Sequence, residues 1–432
     1  MRVLIVNVYY PPVAFGGATM VAEQTTTCLS KIPGVECLVL CLDAVQPRRD
    51  SFLTRYQWQG VDIIATSLQP DPRSPNYKCG EIAALNRDVI ERFNPDVALV
   101  HCIQGFGAEF IIDLFENRVP VAIFVHDAWW LCERQFMVNR FGSYCFQAAI
   151  DLAVCRFCVD DIEWTRRRDA YLRSIINRAE ARLFPSAFFR DLYLSSGMTK
   201  ERSIVVKNGV LPPATLVKAL APEVRTHHTV RFGFLGGVGP AKGSALVASV
   251  FKGLPRTDYE LVCVDNATNI GLRSIEIYRW ECTGTLRVRK GFAQSTIDEF
   301  YQEIDVLLCP SQCKESFGLA VREALIRHKW VVVTDAGGIA EDVVPGVNGT
   351  IIPMVPDPQF LTEAVLECFN RDWPAYRNPY ADKVRTFSEQ SEEIYQVLVG
   401  LVKSREEMEI ALSDKMSSRY KNISTTAGSR VL

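Results

Sequence analysis

Short apolar runs rich in β-branched residues alternate with longer stretches of helical period along most of the chain. In the first half the pattern predicts strands at Arg2–Val8, Val35–Leu42, Val61–Ile64, Asp96–Val100, Pro120–Val125 and Ile204–Val206. It lapses after Asn208–Gly209, where LPPATLVKALAPEVRTHH lacks a clear period and reads as a linker. It then restarts, with strands expected at Val230–Leu235, Tyr259–Val264, Thr285–Val288, Asp305–Cys309, Trp330–Val333 and Thr350–Ile352. Continuous apolar strands separated by helices imply parallel sheets covered on both faces. A helix is expected over Ser388–Lys403, with Ile394, Val397, Leu398 and Leu401 on one face. Beyond it the chain turns polar, and its end reads as a mobile tail. The fold class is therefore α/β, with two doubly wound domains and ligands expected outside the carboxyl ends of the strands.

Composition narrows the class of function. Hydrophobic residues are 48% and charged residues 23% of the 432, which excludes a mostly disordered chain. The net charge of -2 argues against nucleic acid as a partner. No run of about 18 apolar residues predicts a transmembrane helix. The N-terminal apolar run is too short for a secretory leader and reads as the first strand. Most of the 14 cysteines sit singly in apolar runs, among them Cys37, Cys41, Cys263 and Cys309. They read as buried hydrophobes of a reducing compartment, so the expected location is the cytoplasm.

Three loops carry candidate chemistry. The first, Tyr9–Ala18, follows the first strand and brings Gly16 and Gly17 to the start of a helix, where a ligand can approach the backbone closely. Its spacing is not that of a dinucleotide fingerprint. The second, Phe234–Gly243, holds the same place in the second half; its glycines and Lys242 suit a phosphate. The third, PSQCKESFGLAVREAL from Pro310 to Leu325, follows a strand and predicts a helix starting near Gly318. The amides of Phe317, Gly318 and Leu319 then form an anion site, and Glu315 and Glu323 suit sugar hydroxyls. Taken singly, each feature has a plainer reading as an ordinary turn, a solvated Lys or a helix-terminal Glu.

These elements, in this order, resemble the retaining glycosyltransferases of family 4 (group 1), which have the GT-B fold. The resemblance runs from about Met1 to Lys403. Glu315 and Glu323 match the E-x7-E signature, TDAGGIAEDVVPGVNGTIIP the GG-x-x-E segment after it, YYPPVAFGG the N-terminal glycine loop, and VKNGV the end of the first domain.

The resemblance implies two Rossmann-like domains facing a central cleft. Residues 1–210 form the acceptor-side domain, with a Cys-rich insert at 130–160. Residues 211–386 bind the nucleotide sugar, a helix at 387–404 packs back on the first domain, and 405–432 is a polar tail. The implied activity is transfer of a sugar from a UDP- or GDP-sugar to a glycan or lipid-linked acceptor, with retention. Polysaccharide, lipopolysaccharide and glycolipid synthesis are the implied settings. By the same carry-over Glu315 binds the donor sugar and Glu323 the ribose. Lys242 holds the diphosphate with the help of the amides of Phe317, Gly318 and Leu319, and Ser316 also binds the donor. Gly16 and Gly17 approach the phosphate, and His126 lies near the reacting sugar.

One departure matters: Gly237 stands where many members have Arg, so Lys290 or Arg289 would have to substitute if Lys242 does not suffice. The sequence has no Asp-x-Asp, which points to a site without a catalytic metal or other cofactor, and the resemblance implies front-face chemistry. A non-catalytic nucleotide-sugar-binding protein and a GT-B epimerase remain as alternatives.

Two features lie outside those motifs. Cys132, Cys145, Cys155 and Cys158 fall within 27 residues and end in Cys-x-x-Cys, which suits a structural Zn²⁺; buried free thiols are the alternative. A helix expected over Asp160–Leu183 carries Arg166, Arg167, Arg168, Arg173, Arg178 and Arg182. It reads either as a solvated face or as a peripheral contact with the cytoplasmic side of a membrane.

Overall fold

The computed structural model of the chain describes residues 1–12, 16–43, 52–67, 77–214, 229–266, 274–275 and 280–427, with side chains described as far as residue 410. Val13–Phe15 of the first glycine loop, residues 215–228 of the linker and the last five residues of the tail lie outside the described residues.

The first sheet contains β1 (Arg2–Val6), β2 (Glu36–Leu42), β3 (Phe52–Trp58), β4 (Val61–Ser67), β5 (Val97–Val100), β6 (Val121–Phe124), β7 (Ala181–Phe184) and β8 (Ser203–Val205), in the order β3-β4-β2-β1-β5-β6-β7-β8. Helices α1 (Gly16–Leu29), α2 (Gly80–Phe93), α3 (Glu109–Glu116), α4 (Leu152–Cys155), α5 (Ile162–Arg178) and α6 (Ala187–Ser195) are interspersed. Strands β1, β2 and β4–β7 pair in parallel and are almost wholly buried, which is why they stand out as apolar runs.

Two strands were not anticipated. β3 is a polar edge strand, paired antiparallel to β4 through Gln59 and Gly60, both at positive φ as a tight hairpin turn requires. β7 lies inside the segment expected to be helical to Leu183. The helix ends at Arg178 because Arg182 is fully buried in β7. Its guanidinium donates to the carbonyls of Ile176 (3.1 Å) and Asn177 (3.4 Å), satisfying the C-terminus of α5.

The second sheet is wholly parallel: β9 (Val230–Phe234), β10 (Tyr259–Asp265), β11 (Thr285–Lys290), β12 (Val306–Cys309), β13 (Trp330–Thr334) and β14 (Gly349–Ile352), ordered β11-β10-β9-β12-β13-β14. It is accompanied by α7 (Ser244–Gly253), α8 (Ile297–Gln302), α9 (Leu319–Ile326) and α10 (Pro358–Glu367). Phe232, Phe251, Tyr259 and Phe369 pack edge to face on one side. The order reverses at β9, with β10 on one flank and β12 on the other.

Helix α11 (Phe387–Ala427) opens on a capping box: Glu389 accepts from the amide (2.7 Å) and hydroxyl (2.8 Å) of Thr386. It continues past the expected end at Lys403. The polar stretch beyond is rich in helix formers, and Arg405 pairs with Glu409 one turn on at 3.1 Å. Among the described residues no helix is long and apolar enough to cross a membrane.

The chain divides into two compact units. One comprises Met1–Phe124, Ser174–Leu183 and Ser391–Leu432; the other comprises Val125–Arg173 and Phe184–Gln390.

Candidate active site

The loops that follow β9, β12 and β13 emerge from adjacent strands of the second sheet, at the position where strand order reverses. Such a switch point leaves a crevice in doubly wound sheets. Here the first two loops are joined. The Gln312 amide donates to the Ala241 carbonyl at 2.8 Å. Gly243, at φ +76°, lies so close to Pro310 that a Cβ there would fall 2.1 Å from its carbonyl oxygen. No other residue fits this junction.

Lys242 and Glu315 meet across that junction. Lys242 Nζ donates to Glu315 Oε1 at 2.5 Å, and Ser311 Oγ donates to the same oxygen at 2.7 Å. Oε2 of Glu315 has no hydrogen bond among the described residues. Burial disfavours the Lys242 ammonium, but the Glu315 charge, its hydrogen bond and the nearby thiols together outweigh that effect and raise its pKa. Gly236 has no room for a side chain, since a Cβ would sit 2.5 Å from the Phe234 ring. Gly237 is open but at φ +62°, which disfavours Arg there. Of the two proposed substitutes, Arg289 is already paired with Glu299 (3.0 Å) and Glu303, whereas Lys290 is exposed at the end of β11.

The Glu315 backbone pairs with the loop after β13: its amide donates to Ala336 at 2.8 Å and its carbonyl accepts from Gly338 at 2.9 Å. Ser316, Phe317 and Gly318 then lead into α9, which starts at Leu319. Gly318 is at φ +83°, and a Cβ there would meet Ile339 at 2.6 Å. The amides of Phe317, Gly318 and Leu319 have no acceptor among the described residues, as expected of the first turn of a helix.

Arg322 fixes this turn. It is 2% exposed, and its guanidinium lies 4.1 Å from the Phe317 ring centroid. It donates to the carbonyls of Phe317, Ile339 (2.9 Å) and Gly338 (2.8 Å), and to Asp342 Oδ2 (2.8 Å). Asp342 also accepts from Lys207 at 2.6 Å. Burial pushes the Asp342 carboxyl up, but these two cations hold it below its ordinary range. Glu341, the acid of the GG-x-x-E segment, caps α6 by accepting from the Phe188 amide at 2.6 Å.

Glu323 is 6% exposed and accepts from Tyr301 Oη at 3.1 Å. Arg327 donates to the Glu323 carbonyl at 3.1 Å and pairs with Asp298 at 2.5 Å. Burial raises the Glu323 pKa, with Arg327 and Tyr301 opposing the rise.

His126 follows β6. It is 9% exposed, and burial lowers its pKa to about 3, so the imidazole is neutral near pH 7. The next residue anchors its backbone: Asp127 accepts from the Trp129 amide (2.9 Å) and Gln135 (2.7 Å), and its carbonyl accepts from Tyr193 (2.6 Å). Gly16 and Gly17 open α1 in the other unit. Both are exposed, and Gly16 is at φ +77° with no described atom within 4 Å of where a Cβ would sit.

Cys132, Cys145, Cys155 and Cys158 are free thiols lining one cavity of about 230 Å³. Burial pushes the Cys132 thiol up to about 11. Of the expected basic helix face, Arg168 is buried, Arg182 belongs to β7, Arg166 pairs with Glu163 and Arg173 with Asp169.

Sequence reading missed Ser311, Tyr301, Arg322 and Asp342. The only signal at Arg322 was a charge beside Glu323 in an otherwise apolar helix that must pack on the sheet.

Residues 16–209 match the glycosyl transferase 4-like domain, and residues 225–385 match the glycosyl transferases group 1 family. An uncharacterized glycosyltransferase of Methanocaldococcus jannaschii is 21% identical over 384 residues, covering 86% of this chain and 89% of the relative. Among solved structures, Anabaena HepE in complex with UDP and glucose aligns with a TM-score of 0.63 at 16% identity, over 92% of this chain and 99% of its own. The α,α-trehalose-phosphate synthase (UDP-forming) of Burkholderia xenovorans, in complex with glucose-6-phosphate, aligns with a TM-score of 0.65 at 13% identity, over 92% and 100%. At such identities these alignments speak to the fold, and the two matched segments together make the chain a group 1 glycosyltransferase with the GT-B fold.

Proposed function

We propose that the chain moves a sugar from a nucleotide-sugar donor to a glycan or lipid-linked acceptor with retention at the anomeric carbon. The observation that carries this reading is the switch-point group. Lys242, Glu315 and the open amides of 317–319 converge from neighbouring loops, and Glu323 is buried one turn further along α9.

In this reading Lys242 and the helix N-terminus stabilise the leaving diphosphate. Glu315 keeps one oxygen on Lys242 and Ser311 and offers the other to a donor-sugar hydroxyl. Glu323 accepts from the ribose. Neutral His126 accepts or donates a hydrogen bond beside the reacting sugar. The acceptor attacks on the face from which the diphosphate leaves, and a leaving-group oxygen takes its proton. No residue of this group is a paired Asp suited to a catalytic metal. UDP- and GDP-sugars are the donor classes proposed, and the structurally similar HepE, seen with UDP and with UDP-glucose, favours the first.

The test is a thermal-shift panel of UDP-, GDP- and ADP-sugars on the wild type and on Glu323→Ala, followed by donor turnover and NMR of the product anomer. A nucleotide raises the melting temperature by binding the native state. Stabilisation by one nucleotide that shrinks in the variant, with product of the donor's anomeric configuration, supports the reading. Absence of any stabilisation or turnover overturns it.

A further inference from the structure

The donor site does not use the insert that follows His126, and the surface of that insert requires a separate account. Among the described residues, four of the five exposed phenylalanines belong to it: Phe136, Phe141, Phe146 and Phe157. Val154 stands exposed among them. The local backbone explains why. Val138 bridges Tyr144 in a short hairpin, and Asn139 closes its tip by accepting from the amides of Phe141 (2.9 Å) and Ser143 (3.1 Å). Phe141 therefore stands on a turn, 81% exposed. Phe157 follows α4, whose N-terminus is capped by Asp151, and is 62% exposed. Phe141, Val154 and Phe157 line one cavity, and Phe146 packs edge to face at 5.1 Å on Tyr144 of the same lining. These side chains form one apolar patch. The four cysteines line the cavity too, but no three Cys, His, Asp or Glu side chains among the described residues are placed to hold a metal ion, so zinc does not account for the insert.

Arginines accompany the rings. Arg140 lies over Phe141 at 5.6 Å and Arg156 over Phe157 at 4.5 Å from the ring centroid, so ring and charge are presented together. Arg134 is exposed at the base of the hairpin, where its Nε donates to the Val138 carbonyl at 3.0 Å. Between residues 134 and 158 the only acid is Asp151, which is held at the N-cap of α4 by the Ala153 amide at 2.8 Å. Two acids border the patch beyond it. Asp160 comes within 3.9 Å of Arg140, and Asp161 caps α5 through the Trp164 amide at 3.0 Å.

Area and charge select the occupant. At about 200 Å² per phenylalanine side chain, the four rings leave on the order of 500 Å² uncovered. That matches the largest apolar patches on monomers, which are often functional. It falls short of the roughly 800 Å² per partner that a stable protein complex buries. A two-fold dimer through this patch would also set Arg140 and Arg156 against their own copies. A bilayer surface sets no such area threshold, receives rings at its headgroup level and offers phosphates to guanidiniums. We propose that the insert docks on an anionic membrane surface. Phe141, Phe146, Val154 and Phe157 enter the headgroup region, and Arg134, Arg140 and Arg156 meet lipid phosphates. This places membrane contact on the insert rather than on the α5 arginines, of which Arg168 is buried and Arg173 is paired. Docking would hold the His126 segment, from which the insert departs, near a lipid-linked acceptor. That consequence rests on the transfer reading, whereas docking itself does not.

The test is co-sedimentation of the full chain, under reducing conditions and without donor, with vesicles of phosphatidylcholine alone or mixed with phosphatidylglycerol. The wild type should bind the mixed vesicles more tightly, and added salt should weaken that binding. Phe141→Ser combined with Phe157→Ser should lower the partition coefficient about tenfold, the scale for losing two partly buried rings. Arg140→Gln combined with Arg156→Gln should lower it by about tenfold on mixed vesicles and bring the two vesicle types nearly level. All four side chains are exposed, so melting temperatures should stay at the wild-type value and confirm that the variants fold. Failure of the wild type to sediment with either vesicle overturns the proposal, as does binding that survives the double phenylalanine variant. Dimerisation in sedimentation velocity that Phe141→Ser abolishes would assign the patch to a second copy and overturn it as well. Because donor is absent throughout, a failure here leaves the transfer reading standing, and a failure of that reading leaves vesicle binding unchanged.

Discussion

Lys242 and Glu315, 73 residues apart, hold opposite charges 2.5 Å from one another where the order of the second sheet reverses. If Lys242 stabilises the leaving diphosphate, Lys242→Met should lower kcat by about a hundredfold, the scale for one electrostatic donor to developing charge. Glu315→Gln should instead weaken discrimination among donor sugars while leaving nucleotide binding largely intact. Steady-state kinetics with matched donor sugars and inhibition by the bare nucleotide separate these effects.

Arg322 is a positioning residue rather than a catalytic one. Arg322→Met strands three backbone carbonyls and leaves Asp342 with Lys207 alone. A stability loss of about 3 kcal/mol is expected, as for breaking a buried pair from one side. Arg322→Lys should recover only part of it, because an ammonium cannot span the fork of acceptors. Urea unfolding measures both. In the surviving protein, donor KM should rise more than kcat falls.

Tyr301 shares its hydroxyl between Glu323 and the Ala320 carbonyl, at 3.1 and 2.9 Å. Tyr301→Phe should cost about 1 kcal/mol of stability. With one donor lost, burial pushes Glu323 further toward its protonated form, so nucleotide affinity should drop several-fold with kcat nearly unchanged. The Kd for the nucleotide against the KM-to-kcat split checks this.

His126 links stability to pH. Its folded pKa of about 3 lies below that of an unfolded histidine, so the unfolded chain binds a proton that the fold refuses. Its contribution is intact above about pH 6.5 and is lost progressively from there down to the folded value, at up to about 1.4 kcal/mol per pH unit. His126→Asn should flatten the stability profile between about pH 6 and 4. Denaturant midpoints across that range test the sign, and an unchanged slope would rule it out.

The parallel strands were legible because strands covered on both faces leave uninterrupted apolar runs. β3 was not, since Thr54, Arg55 and Gln57 face outward on an edge. β7 was hidden by Arg182, whose charge looked like a helix surface but serves the carbonyl end of α5. Among the candidate site residues, Glu315, Lys242 and Glu323 stood out in the sequence only through the joint resemblance of their motifs, since each alone reads as a solvated or helix-terminal charge. Arg322 and Tyr301 did not, because most of their partners are backbone carbonyls, which no side-chain pattern announces.

The contact between Gly318 and Ile339 has a consequence for how such chains diverge. The missing side chain at 318 is the space that the β-branched residue at 339 occupies. Neither position is free to drift alone. In homologues the two should covary: a bulky residue at 339 demands glycine at 318, and any lineage that replaces the glycine should first shrink its partner. Such a coupled exchange would mark lineages in which the turn into α9 has been rebuilt.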